Sequence, residues 1–333
     1  MTYVAALSRF FMRKIPQTLQ IQEVFVMSIL LQVLLLVVGF AMLIKGADFF
    51  VDGSSGIARR FGIPQLVIGL TIVAMGTSAP EAAVSITAAL KGNADITIGN
   101  IVGSNILNIL IILGVTSVLC ALKLARSTLR VEIPFLIGIS LLLLVQGLDG
   151  TISLADGLVL IAAFVAYLVY LFRMAQTHPD AQAESAQLSI WKALGLAAVG
   201  LALIVLGSNV TVDAATAIAK FFGMSDRFIG LTIVALGTSL PELFTSVTAA
   251  RKGNADIAIG NIVGSNIFNI LFVVGLSALI TPIPFASAFR FDLLVATGAG
   301  VLLLLCSAKN RTLRRPAGVL MLACYAVYFC MIV

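Results

Sequence analysis

Ten stretches of this 333-residue chain are apolar for long enough to cross a bilayer. They lie at about 27–50, 66–90, 94–121, 133–148, 153–174, 189–211, 227–250, 255–281, 289–307 and 316–333. The connections between them are short and polar. The longest hydrophilic segment, THPDAQAESAQLSI at 175–188, separates five runs from five. This pattern predicts an all-α polytopic membrane protein. It divides into an N-terminal extension at 1–26, a first five-helix repeat at 27–174, a linker at 175–188 and a second five-helix repeat at 189–333.

The second division rests on a duplication. Residues 69–114 and 230–275 align at a constant offset of 161, with 34 of 46 positions identical. The likeness continues upstream, where Gly46, Asp52 and Gly62 match Gly207, Asp213 and Gly223. A unit with an odd number of spans enters the membrane from opposite sides in its two copies. Ten transmembrane helices therefore form two inverted five-helix repeats, related by an axis in the membrane plane.

Composition agrees with the bilayer as solvent: 60% of residues are hydrophobic, 11% are charged, and the mean hydropathy is +1.11. Soluble domains carry about 25% charged residues. The net charge of +6 implies no nucleic acid. Its cations sit in short loops, where they set orientation. Loops after helices 1, 3, 5, 7 and 9 hold Arg59, Arg60, Lys123, Arg126, Arg130, Arg173, Lys192, Arg251, Lys252, Lys309, Arg311, Arg314 and Arg315. The other loops hold only Lys91, Lys220, Arg227 and Arg290. The positive-inside rule then puts both ends of the helical domain outside the cytoplasm. Arg9, Arg13 and Lys14 run against that orientation. No h-region follows them within a cleavable stretch, so 1–26 does not read as a signal peptide. Two readings stay open: an interfacial tail, or an upstream extension with natural initiation at Met27, which fits the charge rule better. Cys120, Cys306, Cys324 and Cys330 show no paired spacing and read as core or lipid-facing thiols. The single histidine, His178, falls in the polar linker, which argues against a histidine-based centre.

Chemistry concentrates in the duplicated segment. Pro80 lacks an N–H and its ring crowds the carbonyl of Gly76, so helix 2 is expected to break there; Pro241 and Gly237 break helix 7 in the same way. Carbonyls freed at membrane depth must meet protein, water or a cation. Thr77, Ser78, Glu81 and Ser85 continue at helical spacing past the break and direct oxygens toward one place. Helix 3 offers a facing stripe at Asn100, Ser104 and Asn108, which helix 8 repeats at Asn261, Ser265 and Asn269. Gly99 with Gly103 and Gly260 with Gly264 have the small-xxx-small spacing that lets helices approach closely. A charge at the bilayer centre costs at least about 2.5–3.5 kcal/mol, so two equivalent glutamates, Glu81 and Glu242, mark an ion site and not mere packing. Hard cations such as Ca²⁺ want several oxygen ligands of this kind. Asn105 and Asn266 lie about 100° round from the serines and read as interhelical glue. Asp95 and Asp256 stand near helix starts, where capping is the simpler role. Lys45 and Asp48, near the expected end of helix 1, can snorkel or pair.

The sequences GTSAPE at 76–81, GTSLPE at 237–242, GNIVGSNILN at 99–108 and GNIVGSNIFN at 260–269 resemble the α-repeats of the cation/calcium exchanger superfamily, in its bacterial sodium/calcium exchanger-like branch. The resemblance covers both repeats. It implies alternate binding of Na⁺ and Ca²⁺ at one central cluster and their exchange across the membrane. The implied ligands are Thr77, Ser78, Glu81, Ser104 and Asn108 with Thr238, Ser239, Glu242, Ser265 and Asn269, joined by the carbonyls of Ala74 and Ala235. Some relatives carry Asp where this chain has Asn269. With Asn at both 108 and 269, the stoichiometry and any part for K⁺ or H⁺ stay open.

The expected protein is a secondary antiporter that expels Ca²⁺ against inward Na⁺ by alternating access. Two glutamates balance one Ca²⁺. It needs no cofactor, and its partners are the transported ions and the bilayer, with no obligate protein partner in sight. A Ca²⁺/H⁺ or K⁺-dependent antiporter is the alternative. An intramembrane enzyme lacks a histidine partner and any GxSG or GxGD motif. A channel would show neither counterflow nor saturation.

Overall fold

The computed structural model describes residues 17–91, 94–177, 188–224 and 235–332. We label its helices α1 (Gln17–Phe61), α2a (Gln65–Thr77), α2b (Ala79–Leu90), α3 (95–119), α4 (Thr128–Asp149) and α5 (Leu154–Thr177) in the first half. The second half holds α6 (Ile190–Phe221), α7a (Ala235–Thr238), α7b (Leu240–Arg251), α8 (Ala255–Ile280), α9 (Ala288–Ala308) and α10 (Arg315–Ile332). Among the described residues, eight helices span singly by length and hydropathy, and α2a with α2b makes a ninth span bent by 52°. The pair α7a–α7b repeats that break, although much of the expected 227–250 run lies outside the described residues.

The breaks fall one residue after the glycine–threonine pair. Ser78 and Ser239 have φ/ψ of −82°/7° and −92°/4°, and they end one half-helix while starting the next. Pro80 and Pro241 occupy the first turn of the second half, where a missing N–H leaves nothing unsatisfied. The sequence reading of a local opening thus becomes a true change of direction in helix 2.

Several boundaries differ from expectation. The fourth helix begins at Thr128, five residues before the expected start at 133, because a π-turn over Thr128–Glu132 carries it into the polar loop. α1 begins at Gln17, inside the segment expected to stand apart, so no break in secondary structure marks 26/27. α1 and α6 continue to Phe61 and Phe221, well past 50 and 211. Their polar tails stay helical because one face of each remains in contact with the other helix. Small residues recur at intervals of seven: Gly39, Gly46 and Gly53 on α1, with Ala193, Gly200 and Gly207 on α6. A Cβ at Gly200 would sit 2.4 Å from the Phe50 nitrogen, and one at Gly53 would sit 2.4 Å from the Ala197 nitrogen. Gly200→Val is therefore expected to part the two helices and lose the monodisperse peak in size-exclusion chromatography; a normal elution profile would mean that the pair tolerates separation.

Two short ladders display the inverted symmetry. β1 (Leu122–Lys123) pairs antiparallel with β4 (Thr312–Leu313), and β2 (Thr151–Ile152) with β3 (Ile283–Pro284). The register Leu122↔Leu313 maps onto Ile283↔Ile152 under the same offset of 161 found in the sequence. At the centre stand α3 and α8. Their most apolar windows are 78% and 83% buried, against 11–39% for the other single spans, so these two helices form the core and the other single spans lie more exposed around it. Asp48 pairs with Lys252 at 3.3 Å, and not with Lys45; Lys252 also reaches Asp52 at 2.8 Å, tying α1 to the end of α7b. The four cysteines are free, and His178 lies outside the described residues.

Candidate ion site

Both halves build the same strut from the break to the core. The Asn100 amide donates to the Glu81 carbonyl at 3.2 Å and to Ser85 Oγ at 2.9 Å. Asn261 donates to the Glu242 carbonyl at 3.3 Å and to Ser246 Oγ at 2.9 Å. Each asparagine thereby fixes the half-helix carrying its glutamate against the adjacent core helix. Gly260 and Gly264 make the crossing close: a Cβ at Gly264 would lie 2.8 Å from the Leu70 Cα. The matching partners of Gly99 and Gly103, residues 230 and 231, lie outside the described set.

The α3–α8 contact is a reciprocal asparagine ladder. Asn105 donates to the Asn266 carbonyl at 3.3 Å, and Asn266 to the Asn105 carbonyl at 3.1 Å. Their side-chain oxygens accept from the next pair, Asn108 to Asn266 Oδ1 at 2.8 Å and Asn269 to Asn105 Oδ1 at 3.1 Å. This fixes the amides of Asn108 and Asn269, whose NH₂ groups are spent on the ladder. Their side-chain oxygens are buried and take no part in the ladder. Both residues begin π-turns, Asn108–Leu113 and Asn269–Val274, which shift the helix register at the site.

The carboxylates close the cluster. Glu81 and Glu242 are each 1% exposed and lie within mutual electrostatic reach. Ser78 donates to Glu242 Oε1 at 2.8 Å, and Thr238 is a side-chain hydrogen-bond partner of Glu81. Thr77 reaches Asn261 Oδ1 at 3.0 Å, and Ser265 reaches the Ala74 carbonyl at 3.3 Å across the repeats. Ser104 is buried on α3, Ser239 occupies the second break, and Ala235 opens α7a. The structure thus gathers the expected residues of α2a, α2b, α3, α7b and α8 into one region. Ser239 Oγ there has no protein partner, and neither do four carboxylate and amide oxygens: Oε2 of Glu81 and Glu242, and Oδ1 of Asn108 and Asn269. These four form two pairs related by the inverted symmetry. Asp256 lies in the first turn of α8, and Asp95 opens α3.

Sequence reasoning placed Asn105 and Asn266 as glue but did not see that they aim the neighbouring amides. The signal was their three-residue spacing from Asn108 and Asn269. It also missed Ser208, whose hydroxyl donates to the Gly237 carbonyl at 2.7 Å and so ties α6 to the second break.

The fold is that of a polytopic helical membrane protein whose two repeats meet at a buried, oxygen-lined cluster, and its family is one of transporters, not enzymes. The sodium/calcium exchanger protein profile matches residues 31–173 and 192–333, and the chain belongs to that family of cation/Ca²⁺ antiporters. It is 37% identical over 318 residues to the inner membrane protein YrbG of Escherichia coli (strain K12), covering 91% of this chain and 97% of that one. With the sodium/calcium exchanger MaX1 of Methanosarcina acetivorans it shares 31% identity over 337 residues, covering 89% and 96%. The solved structure of the sodium-calcium exchanger NCX_Mj soaked with Na⁺ and Sr²⁺ superposes with a TM-score of 0.80 at 33% identity, covering 91% of this chain and 99% of that one.

Proposed function

We propose that the protein exchanges Na⁺ for Ca²⁺ at the cluster of Glu81, Glu242, Asn108 and Asn269. The observation that carries this reading is the set of four buried, unpartnered carboxylate and amide oxygens. Ca²⁺ takes about 6–8 oxygen ligands, and hydroxyls of Thr77, Ser78, Ser104, Thr238, Ser239 and Ser265 with the Ala74 and Ala235 carbonyls can complete the shell. A site of two carboxylates is near neutral with one Ca²⁺. Several Na⁺ can share the same oxygens, so competition couples the two fluxes. Binding of ⁴⁵Ca²⁺ to the purified protein should be displaced by Na⁺ and not by K⁺ at fixed pH; displacement by acid alone would favour proton exchange instead.

Charge arithmetic supports an electrogenic cycle. Three Na⁺ at two glutamates leave about +1, and a negative-inside potential contributes about 2.3 kcal/mol per charge per 100 mV. Asn269→Asp adds a third negative charge and a group that can bind a proton. That variant should change the voltage dependence of Ca²⁺ flux in proteoliposomes and make it pH-sensitive. An unaltered flux would mean that this side chain does not face the ions.

The basic loops support a topology with both ends of the helical domain outside the cytoplasm of a bacterial cell. Reporter fusions in the 175–188 linker and after Val333 should read cytoplasmic and external respectively. A cytoplasmic reporter after Val333 would reverse the assignment.

A further inference from the structure

A cavity of about 450 Å³ opens between the start of α4 and the end of α9, lined by Arg126, Arg130, Lys309 and Arg311 over a floor that includes Leu129 and Leu304. No acid lines it, and none of the four cations has an ion-pair partner among the described residues. Below it the outward faces of α4 and α9 stay apolar, with Val131 and Leu305 exposed. Arg311 also borders a neighbouring cavity with Lys123 and Asp256.

The inverted symmetry supplies a control within the same molecule. Arg311 adopts φ 51°, a left-handed conformation that glycine takes without strain and arginine does not. Its counterpart under the offset of 161 is Gly150, at φ 94°. The two turns are otherwise built alike: the Arg311 carbonyl accepts from the Leu124 nitrogen at 2.7 Å, and the Gly150 carbonyl from the Phe285 nitrogen at 2.8 Å. Arg126, Arg130 and Lys309 correspond to Ser287, Phe291 and Leu148. Arg290, a cation near that twin surface, donates to the Leu148 carbonyl at 2.9 Å. A membrane-orientation rule asks for basic loops. It does not ask for an arginine where the fold prefers glycine, nor for four uncompensated cations around one cavity with an apolar floor.

We propose that this cavity binds the phosphate headgroup of an anionic phospholipid, with the acyl chains lying along α4 and α9. Basic pockets between membrane helices suit such headgroups because the cations meet the phosphate while the chains remain in hydrocarbon. The assignment is independent of which cation the central site carries.

The test uses the delipidated full-length protein in neutral detergent, with phosphatidylglycerol or phosphatidylcholine added and bound lipid counted by native mass spectrometry. The wild type should retain phosphatidylglycerol well above phosphatidylcholine. Arg130→Gln and Arg311→Gln should each weaken that retention about fivefold, the effect of one basic residue at an anionic surface. Arg314→Gln with Arg315→Gln, basic positions outside the cavity, should leave it unchanged. Arg311→Gly is the decisive variant: it should lose lipid while melting at the same temperature or higher, because it restores the residue its twin uses. Equal losses in the outlying double variant would show diffuse attraction and overturn the site. An Arg311→Gly protein that melts lower and keeps its lipid would assign the arginine to folding. Complete displacement of the lipid by inorganic phosphate would make this a free-phosphate site and overturn the lipid assignment.

Discussion

Glu81→Gln and Glu242→Gln are each expected to abolish Ca²⁺ transport while leaving the protein inserted and folded. Each glutamate is buried and keeps one carboxylate oxygen without a protein partner. A divalent cation facing one carboxylate instead of two loses a buried ion pair, an effect of about 3–5 kcal/mol, or roughly a hundredfold or more in affinity. Membrane insertion should not suffer, because the amide removes a charge that costs about 2.5–3.5 kcal/mol at the bilayer centre. Detergent-solubilised variants should therefore elute like the parent and fail in ⁴⁵Ca²⁺ uptake. Near-normal uptake by either variant would remove that acid from the site.

The second large effect is expected from residues that need not touch an ion. Asn266→Leu deletes the acceptor for the Asn108 amide, a hydrogen bond of 2.8 Å, and Asn105→Leu does the same to Asn269, whose bond is 3.1 Å. The freed amide can turn its NH₂ toward the cation, replacing an acceptor by a donor. A buried polar group that loses its partner forfeits about 1–3 kcal/mol, so Ca²⁺ affinity should fall by about fivefold to a hundredfold. The two variants should resemble one another, because the ladder is symmetric. Normal Ca²⁺ affinity in both would show that the ladder holds the helices together without orienting the amides.

Much of the candidate site was legible in the sequence because the duplication marked it. Glu81, Glu242, Asn108 and Asn269 were readable as chemistry on one ground: polar groups in apolar runs are expensive unless they serve each other or a ligand. The break before Pro80 was legible too, since proline has no N–H to bond back into the preceding turn. The lengths of α1 and α6 were not. Hydropathy ends where Asp52 and Asp213 begin, whereas the helices end where their mutual packing ends, and seven-residue glycine spacing carries that information in a form that a hydropathy window averages away. The π-turns at Asn108 and Asn269 were also hidden, because the sequence NIL that starts both reads as ordinary helix. The Lys252 pairing with Asp48 and Asp52 joins residues about 200 positions apart, which no local pattern anticipates.

In the proposed exchange, Na⁺ and Ca²⁺ compete for one pair of glutamates. The most direct test is ⁴⁵Ca²⁺ uptake into proteoliposomes loaded with Na⁺ and diluted into Na⁺-free medium, with pH clamped equal on both sides and K⁺ held symmetric. Uptake should be saturable, require the outward Na⁺ gradient and disappear in Glu81→Gln and Glu242→Gln. Uptake that proceeds without a Na⁺ gradient and follows an imposed pH gradient instead would contradict the proposed exchange.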